Sequence, residues 1–158
     1  MSSRIEQLRN KVDSLAEKRC RNDSWSRFCL QHMYAVSSFA AMIAEKRGLD
    51  VELALIIGQL HDIYSLLNDD TEKHAKNGSK LARELLTEMG IVDAEELEII
   101  CTAIKYHSKK RLIHDEYSEL AKDADVLSHY YHDGFRPALE KDRERLEALQ
   151  LEFDLNDT

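Results

Sequence analysis

Glycine and proline are scarce in this sequence. The 158 residues include 5 glycines and 1 proline, whereas the two types together make up about 12% of an average protein. A sheet protein with many tight turns needs more of both, because glycine and proline supply the backbone angles of those turns. The scarcity therefore predicts an all-α protein in which long helices are joined by short loops.

Cysteines and long apolar segments are also in short supply. The three cysteines, Cys20, Cys29 and Cys101, are odd in number and have no CxxC spacing, so neither a disulfide framework nor a zinc ribbon is indicated. No apolar run approaches the ~18 residues of a membrane-spanning helix. The first residues are too charged for a signal peptide. We therefore expect a cytoplasmic protein with no membrane partner, in which Cys29 and Cys101 are buried and reduced.

Positive charge is outnumbered by negative charge. The chain has 22 Lys and Arg residues against 30 Asp and Glu residues, which gives a net charge of −8 at pH 7. Such a surface repels the phosphate backbone of nucleic acids and anionic membranes. The balance argues against nucleic acid as the main partner, although a local basic pocket is compatible with it.

Apolar residues recur every three or four positions over most of the chain, which is the period of an amphipathic helix. Helix ends are indicated by Gly48 and Gly90, which suit the left-handed residue after a helix. Helix starts are indicated by Thr71 and by Asp93, which has capping-box spacing to Glu96. These patterns predict six to seven helices.

The domain organisation follows from the absence of any linker or repeat. We expect a compact bundle that forms a single domain over residues 1–158, with a core at about 24–135. Flanking helices are predicted at 1–20 and at 137–155, and the last of them places Pro137 in its first turn. Both flanking helices are charged enough to be ordinary surface helices, and both are also candidates for the contact of a homodimer.

Imidazole and carboxylate groups interrupt the apolar faces of these predicted helices: His32, His61, His107 and Asp125 follow apolar residues at spacings of three or four. A single histidine on such a face is more often a hydrogen-bonded core residue than a ligand. A buried carboxylate, however, costs several kcal/mol unless a cation pairs with it. A divalent metal removes that cost, and a mixed nitrogen and oxygen site suits Fe, Mn, Zn, Co or Ni better than Mg alone.

The adjacent pair His61 and Asp62 constrains where such a metal can lie. Neighbouring side chains on a regular helix point about 100° apart. The two residues can therefore serve one metal only near the end of their helix, where the polar segment 68–70 that follows permits adjustment.

The segment Leu60-His61-Asp62-Ile63, preceded by His32, resembles the opening of the HD-domain phosphohydrolase superfamily. In that family a histidine, a His-Asp doublet some thirty residues later and a distant aspartate bind a catalytic divalent metal in an all-helical fold. The matching residues here are His32, His61, Asp62 and Asp125. Their order and spacing make the resemblance specific, and it implies an HD-type helical bundle.

Two further histidines sharpen the resemblance. His74 and His107 lie where two-metal subgroups of the family, such as dinucleoside-polyphosphate hydrolases, place extra ligands. The resemblance therefore implies one or two metal ions, with Asp62 as a catalytic residue that bridges them. Many relatives have a phosphate-binding lysine soon after the doublet, whereas this sequence reads Ile63-Tyr64-Ser65-Leu66.

The resemblance implies a phosphohydrolase that acts on a phosphoester or phosphoanhydride bond of a small nucleotide-like substrate. The metal lowers the pKa of a bound water towards ~7, so that hydroxide attacks phosphorus. The alternative is a catalytically idle metal-binding module that senses a nucleotide or binds a protein. Candidate substrate-binding residues, which alternatively form a solvated basic surface, are Lys76, Lys109, Lys110 and Arg111. Residues expected at the surface or rim are His114, His129 and His132.

Overall fold

The computed structural model describes residues 2–19 and 23–155, and the described residues form helices without any strand. Cys20 lies outside them. The α-helices are α1 (Arg4–Lys18), α2 (Ser24–Arg47), α3 (Val51–Leu60), α4 (Ile63–Asn68), α5 (His74–Met89), α6 (Ala94–Tyr106), α7 (Glu116–Leu127) and α8 (Arg143–Glu152). A π-helical turn (Ser128–His132) continues α7, and a 3-10 turn (Glu140–Asp142) precedes α8. The predicted all-α fold is confirmed.

Aspartate side chains cap several of the helices as the sequence indicates. Asp93 accepts a hydrogen bond from the backbone of Glu96, whose side chain accepts one in return, so the predicted capping box of α6 is present. Gly48 and Gly90 end α2 and α5 in the left-handed conformation. Local signals therefore set these helix boundaries.

Two predicted helix starts are wrong. Thr71 does not cap α5, because the chain turns through a left-handed Lys73 (φ 53°) and the helix begins only at His74. Pro137 is not in the first turn of the last helix. Leu139 is extended (φ −58°, ψ 143°), so helical backbone resumes at Glu140 and α8 begins at Arg143.

The helices α2 and α3 pack with their backbones almost in contact. A Cβ atom added at Gly58 would lie 2.5 Å from the Cα of Ser37, a distance that no side chain tolerates. Glycine is therefore required at the crossing. This close approach brings His32 of α2 near His61, which directly follows α3.

The core consists of two apolar clusters of buried residues. One joins α1, α2, α3, α5 and α6 through residues such as Leu8, Met33 and Ile57, and the other joins α2, α7 and α8 through residues such as Leu127 and Leu146. Both flanking helices therefore contribute buried side chains. Cys29 and Cys101 are buried and free, as expected. Among the described helices, none combines the length and apolar content needed to cross a bilayer.

Candidate metal centre

His32 extends from α2 into a buried contact with two carboxylates. Its Nε2 lies 2.9 Å from Oδ1 of Asp125, and its Nδ1 lies 2.7 Å from Oδ2 of Asp133. A carboxylate on Nδ1 fixes the orientation of the ring and strengthens Nε2 as a ligand. The structure thus brings together the first and last residues of the predicted metal set.

His61 and Asp62 reach the same centre because the helix breaks between them. α3 ends at Leu60, and Asp62 leaves helical geometry (φ −113°, ψ 20°) before α4 begins. The Nε2 of His61 lies 3.1 Å from Nε2 of His32 and 3.3 Å from Oδ2 of Asp62. The sequence places this adjustment in the polar segment 68–70, whereas the helix breaks at the doublet itself and α4 occupies Ile63–Asn68. The break at the doublet allows the neighbouring residues to converge on one point.

The second oxygen of Asp62 faces a separate pair of histidines. Its Oδ1 lies 3.5 Å from Nε2 of His74 and 3.5 Å from Nε2 of His107. The two Nε2 atoms are 3.2 Å apart. His74 is the first residue of α5 and His107 directly follows α6. Asp62 therefore lies between two groups of ligands and contributes one oxygen to each.

The tautomers of these imidazoles favour coordination of a cation. In His61, His74 and His107 the Nδ1 atom lies 2.7–2.9 Å from a backbone carbonyl oxygen, which can only accept a hydrogen bond. Nδ1 therefore carries the hydrogen, and each neutral ring presents a lone pair at Nε2. Two such lone pairs only 3.2 Å apart in His74 and His107 repel each other unless a proton or a metal ion lies between them. The donor set fits a divalent metal.

The charges of the cluster also favour a bound cation. Burial by itself lowers the pKa of His32, but hydrogen bonds with Asp125 and Asp133 outweigh it and raise this pKa to about 9. Burial also opposes protonation of His61, yet the charge of Asp62 raises its pKa to about 10. Without a metal, protons on these rings supply the positive charge that the carboxylates require.

Lys110 lies inside the site rather than in a solvated loop. Its side chain is only 2% exposed, and its Nζ donates to Oδ2 of Asp125 at 2.5 Å and to the carbonyl oxygen of His107 at 3.0 Å. Burial raises the pKa of Asp125, but the charge of Lys110 and the neighbouring histidines hold it well below its usual range. The sequence gives no reason to distinguish Lys110 from its neighbours Lys109 and Arg111, whereas the turn after α6 buries only Lys110.

Sequence reasoning missed two residues of the centre, His129 and Asp133. His129 lies further inside than the predicted rim, with its Nε2 3.4 Å from Oδ1 of Asp125 and its Nδ1 3.2 Å from Asp142. Its spacing of four from Asp125 is a helical spacing that could have indicated it. The π-helical turn that begins at Ser128 changes the helical phase locally, and such turns are frequent at functional sites.

A cleft of about 180 Å³ opens directly onto these ligands. Its wall includes Asp62, His74, His107, Lys110, Asp125 and His129. The predicted substrate residues Lys76 and Lys109 lie beside it, in a neighbouring groove. Arg111 is exposed and lines neither cavity. Of the four basic residues predicted to bind substrate, Lys110 alone lines the cleft.

Residues 29–130 match the HD domain family. The chain belongs to the HD domain family. This segment begins just before His32 and contains Asp125, so it includes every residue of the predicted ligand set.

The curated proteins that this chain resembles include several ribonucleases Y. One from Thermus thermophilus is 33% identical over 128 residues, which cover 80% of this chain and 21% of the relative. That of Rhodopirellula baltica is 31% identical over 80% of this chain and 23% of the relative. The chain thus spans less than a quarter of the length of these proteins.

A solved structure shows the same HD fold. The crystal structure of a predicted HD superfamily hydrolase from an uncultured Thermotogales bacterium has a TM-score of 0.60 and 21% identity. The match covers 92% of this chain and 88% of that one. The helical architecture is therefore that of the family over nearly the whole chain.

Proposed function

We propose that this protein is a metal-dependent phosphohydrolase that cleaves a phosphoester bond in a nucleotide-containing substrate. The observation that carries the proposal is the position of Asp62, whose two oxygens face two separate groups of imidazole ligands. In this arrangement two divalent ions can share one carboxylate, and the cleft gives a substrate access to them. A purely structural histidine cluster needs no such opening.

The distances support one assignment of the ligands. One ion would be held by His32, His61, Asp62 and Asp125, and the second by Asp62, His74 and His107. Fe, Mn, Zn, Co and Ni all suit these donors. Such ions supply an activated water and neutralise charge on the oxygens of a phosphoryl group.

Lys110 supplies a fixed positive charge at the cleft. The ordinary phosphate-binding lysine after the doublet is absent, since Tyr64 and Ser65 occupy that segment. The Lys110 ammonium has three donors, two of which are directed at Asp125 and at the carbonyl of His107. The third donor is available for a phosphoryl oxygen, so this lysine takes the place of the missing one.

The substrate class rests on cleft size and on the relatives. A volume of about 180 Å³ is below the usual ~300–1,000 Å³ of a pocket that encloses a whole ligand. The cleft therefore holds the reacting phosphate, and the rest of the substrate lies outside it. A small nucleotide, as the sequence predicts, fits this description, and so does the end of an RNA strand, as the ribonuclease Y relatives favour.

The test is hydrolysis by metal-loaded protein. The chain is reconstituted in turn with Mn, Co, Fe, Ni and Zn, metal content is measured by elemental analysis, and activity is assayed with bis(p-nitrophenyl) phosphate, dinucleotides and nucleotides. We expect turnover that Asp62→Asn abolishes and that Asp70→Asn, an exposed acidic control, leaves unchanged. Metal-loaded protein that binds a nucleotide without cleaving any of the panel contradicts the proposal and supports the sensor alternative.

A further inference from the structure

A second cavity, here called the lysine groove, adjoins the metal cleft. It has a volume of about 290 Å³ and is lined by four lysines together with His74 and Ser108. The lysines are Lys73, Lys76, Lys105 and Lys109. They come from two places in the chain, the start of α5 and the end of α6, so the fold rather than a local basic run brings them together.

These four ammonium groups form no ion pair with the part of the chain that the structure describes. None has a carboxylate oxygen within 4.0 Å among the residues that the structure describes, although the whole chain has a net charge of −8. Lys105 and Lys109 both place their Nζ near the ring of Tyr106, at 5.2 and 5.7 Å from its centre. The groove therefore offers several ammonium groups to an anion.

The groove and the cleft share part of their walls. His74 and Ser108 line both cavities, so the groove and the cleft are directly adjacent. Two anionic groups of one molecule can therefore occupy the two cavities together. Since the cleft is too small for a whole nucleotide, the substrate must extend beyond it, and the groove provides a route of matching charge.

We propose that the lysine groove binds a second phosphate group of the substrate, next to the phosphate that is hydrolysed. The inference rests on the proposed function and deepens it, because it selects substrates with at least two phosphates over those with one. Two sources share this chemistry: the next phosphate of a short nucleotide strand and the polyphosphate chain of a single nucleotide.

A binding experiment without metal tests the groove separately from catalysis. The intact chain in EDTA is titrated with the dinucleotide ApA, which has one phosphate, with its 5′-phosphorylated form pApA, which has two, and with AMP and ADP. The groove variant is the triple substitution Lys76→Ala, Lys105→Ala and Lys109→Ala. The matched control is Lys80→Ala, an exposed lysine on α5 that does not line the groove.

We expect the second phosphate of pApA to strengthen binding at least tenfold in the wild type and in the Lys80→Ala control, and not in the groove variant. The salt dependence of pApA binding should also fall by about 0.7 in log–log slope in the groove variant, the value for one phosphate contact on a single strand. Lys73→Asn introduces a residue that tolerates the left-handed backbone at this position, and it should reduce the gain in pApA affinity by less than the triple substitution does.

The two sources and the two proposals give distinct results. A gain for ADP over AMP that matches the gain for pApA over ApA assigns the groove to polyphosphate as well as to strands, whereas a gain for pApA alone assigns it to strands. A gain for ADP alone assigns the groove to the polyphosphate chain of a single nucleotide. Equal affinity within both pairs, ApA with pApA and AMP with ADP, or a gain that survives in the groove variant, overturns the inference. A failure of the proposed function gives a different result. In that case the metal-loaded protein hydrolyses none of these compounds, although the second phosphate still strengthens binding.

Discussion

The buried ion pair between Lys110 and Asp125 gives the sharpest prediction about stability. We consider Lys110→Met, which keeps the length and apolar stem of the side chain and removes its charge. Loss of one partner of a buried pair costs about 3–5 kcal/mol, because the other charge stays buried and uncompensated. Asp125 retains His32 at 2.9 Å as a partner. In metal-free protein Lys110→Met should therefore lower the free energy of unfolding by about 3 kcal/mol, the lower end of this range.

A bound metal changes this loss. A divalent ion at Asp125 supplies the charge that the substitution removes, so the stability difference should narrow when the protein is saturated with metal. By linkage, a ligand that stabilises the variant more than the wild type also binds the variant more tightly. We therefore expect Lys110→Met to lose stability in EDTA and to bind its metal more tightly than the wild type does.

The assay is urea unfolding followed by circular dichroism, in EDTA and in excess Mn or Co. The control is Lys109→Met, which removes an exposed ammonium next in the chain and should change stability by no more than about 0.5 kcal/mol. Equal losses for the two variants in EDTA, or a loss for Lys110→Met that is the same with and without metal, would refute the reasoning.

Three further predictions concern the ligands, a thiol and a surface pair. His74→Ala and His107→Ala should each lose about one metal equivalent by elemental analysis, and an unchanged single equivalent in both variants and the wild type contradicts a second ion. Burial raises the pKa of Cys29 to about 12, so iodoacetamide at pH 8 should leave this thiol unlabelled in folded protein, as peptide mass spectrometry can check. The hydrogen bond with Arg47 lowers the pKa of Glu152. The ion pair therefore stabilises the fold above the ordinary pKa of about 4.5, and this stabilisation is lost as the pH falls through the lowered pKa. In urea titrations Glu152→Gln should therefore lower the free energy of unfolding by up to about 1 kcal/mol at pH 7 and by less near pH 3. A loss that does not depend on pH contradicts a stabilising role of the Arg47–Glu152 pair.

The helices could be predicted because their signals are local, and the proposed ligand set came from the order and spacing of residues that resemble the HD family. The capping box at Asp93 and Glu96 acts within one turn, and the spacing of His107 along α6 follows from the helical period alone. The His61-Asp62 doublet also carries its own constraint, since two adjacent ligands require a break in the helix. These features need no knowledge of which helices pack together.

The features that were missed depend on tertiary packing. Lys110 and Lys109 are equivalent in sequence, and only the turn after α6 decides that one is buried against Asp125 while the other lies in the groove. His129 has only its helical spacing from Asp125 as a sequence signal, and its place at the centre also depends on the π-helical turn that follows α7. The start of α8 was misplaced because Pro137 suits both a first helical turn and an irregular segment.

The net charge of the chain is a poor guide to its partner because electrostatic interactions are short-ranged in salt. Screening reduces the interaction between exposed charges beyond about 8 Å at physiological ionic strength. A phosphate in the groove therefore responds to the lysines that line it, and the acidic residues elsewhere on the surface contribute little. Arginines such as Arg4, Arg83 and Arg47 are paired with carboxylates, which leaves the groove as a place where positive charge is uncompensated. A chain with a net charge of −8 can in this way present a positive surface at the point where a phosphorylated substrate would enter.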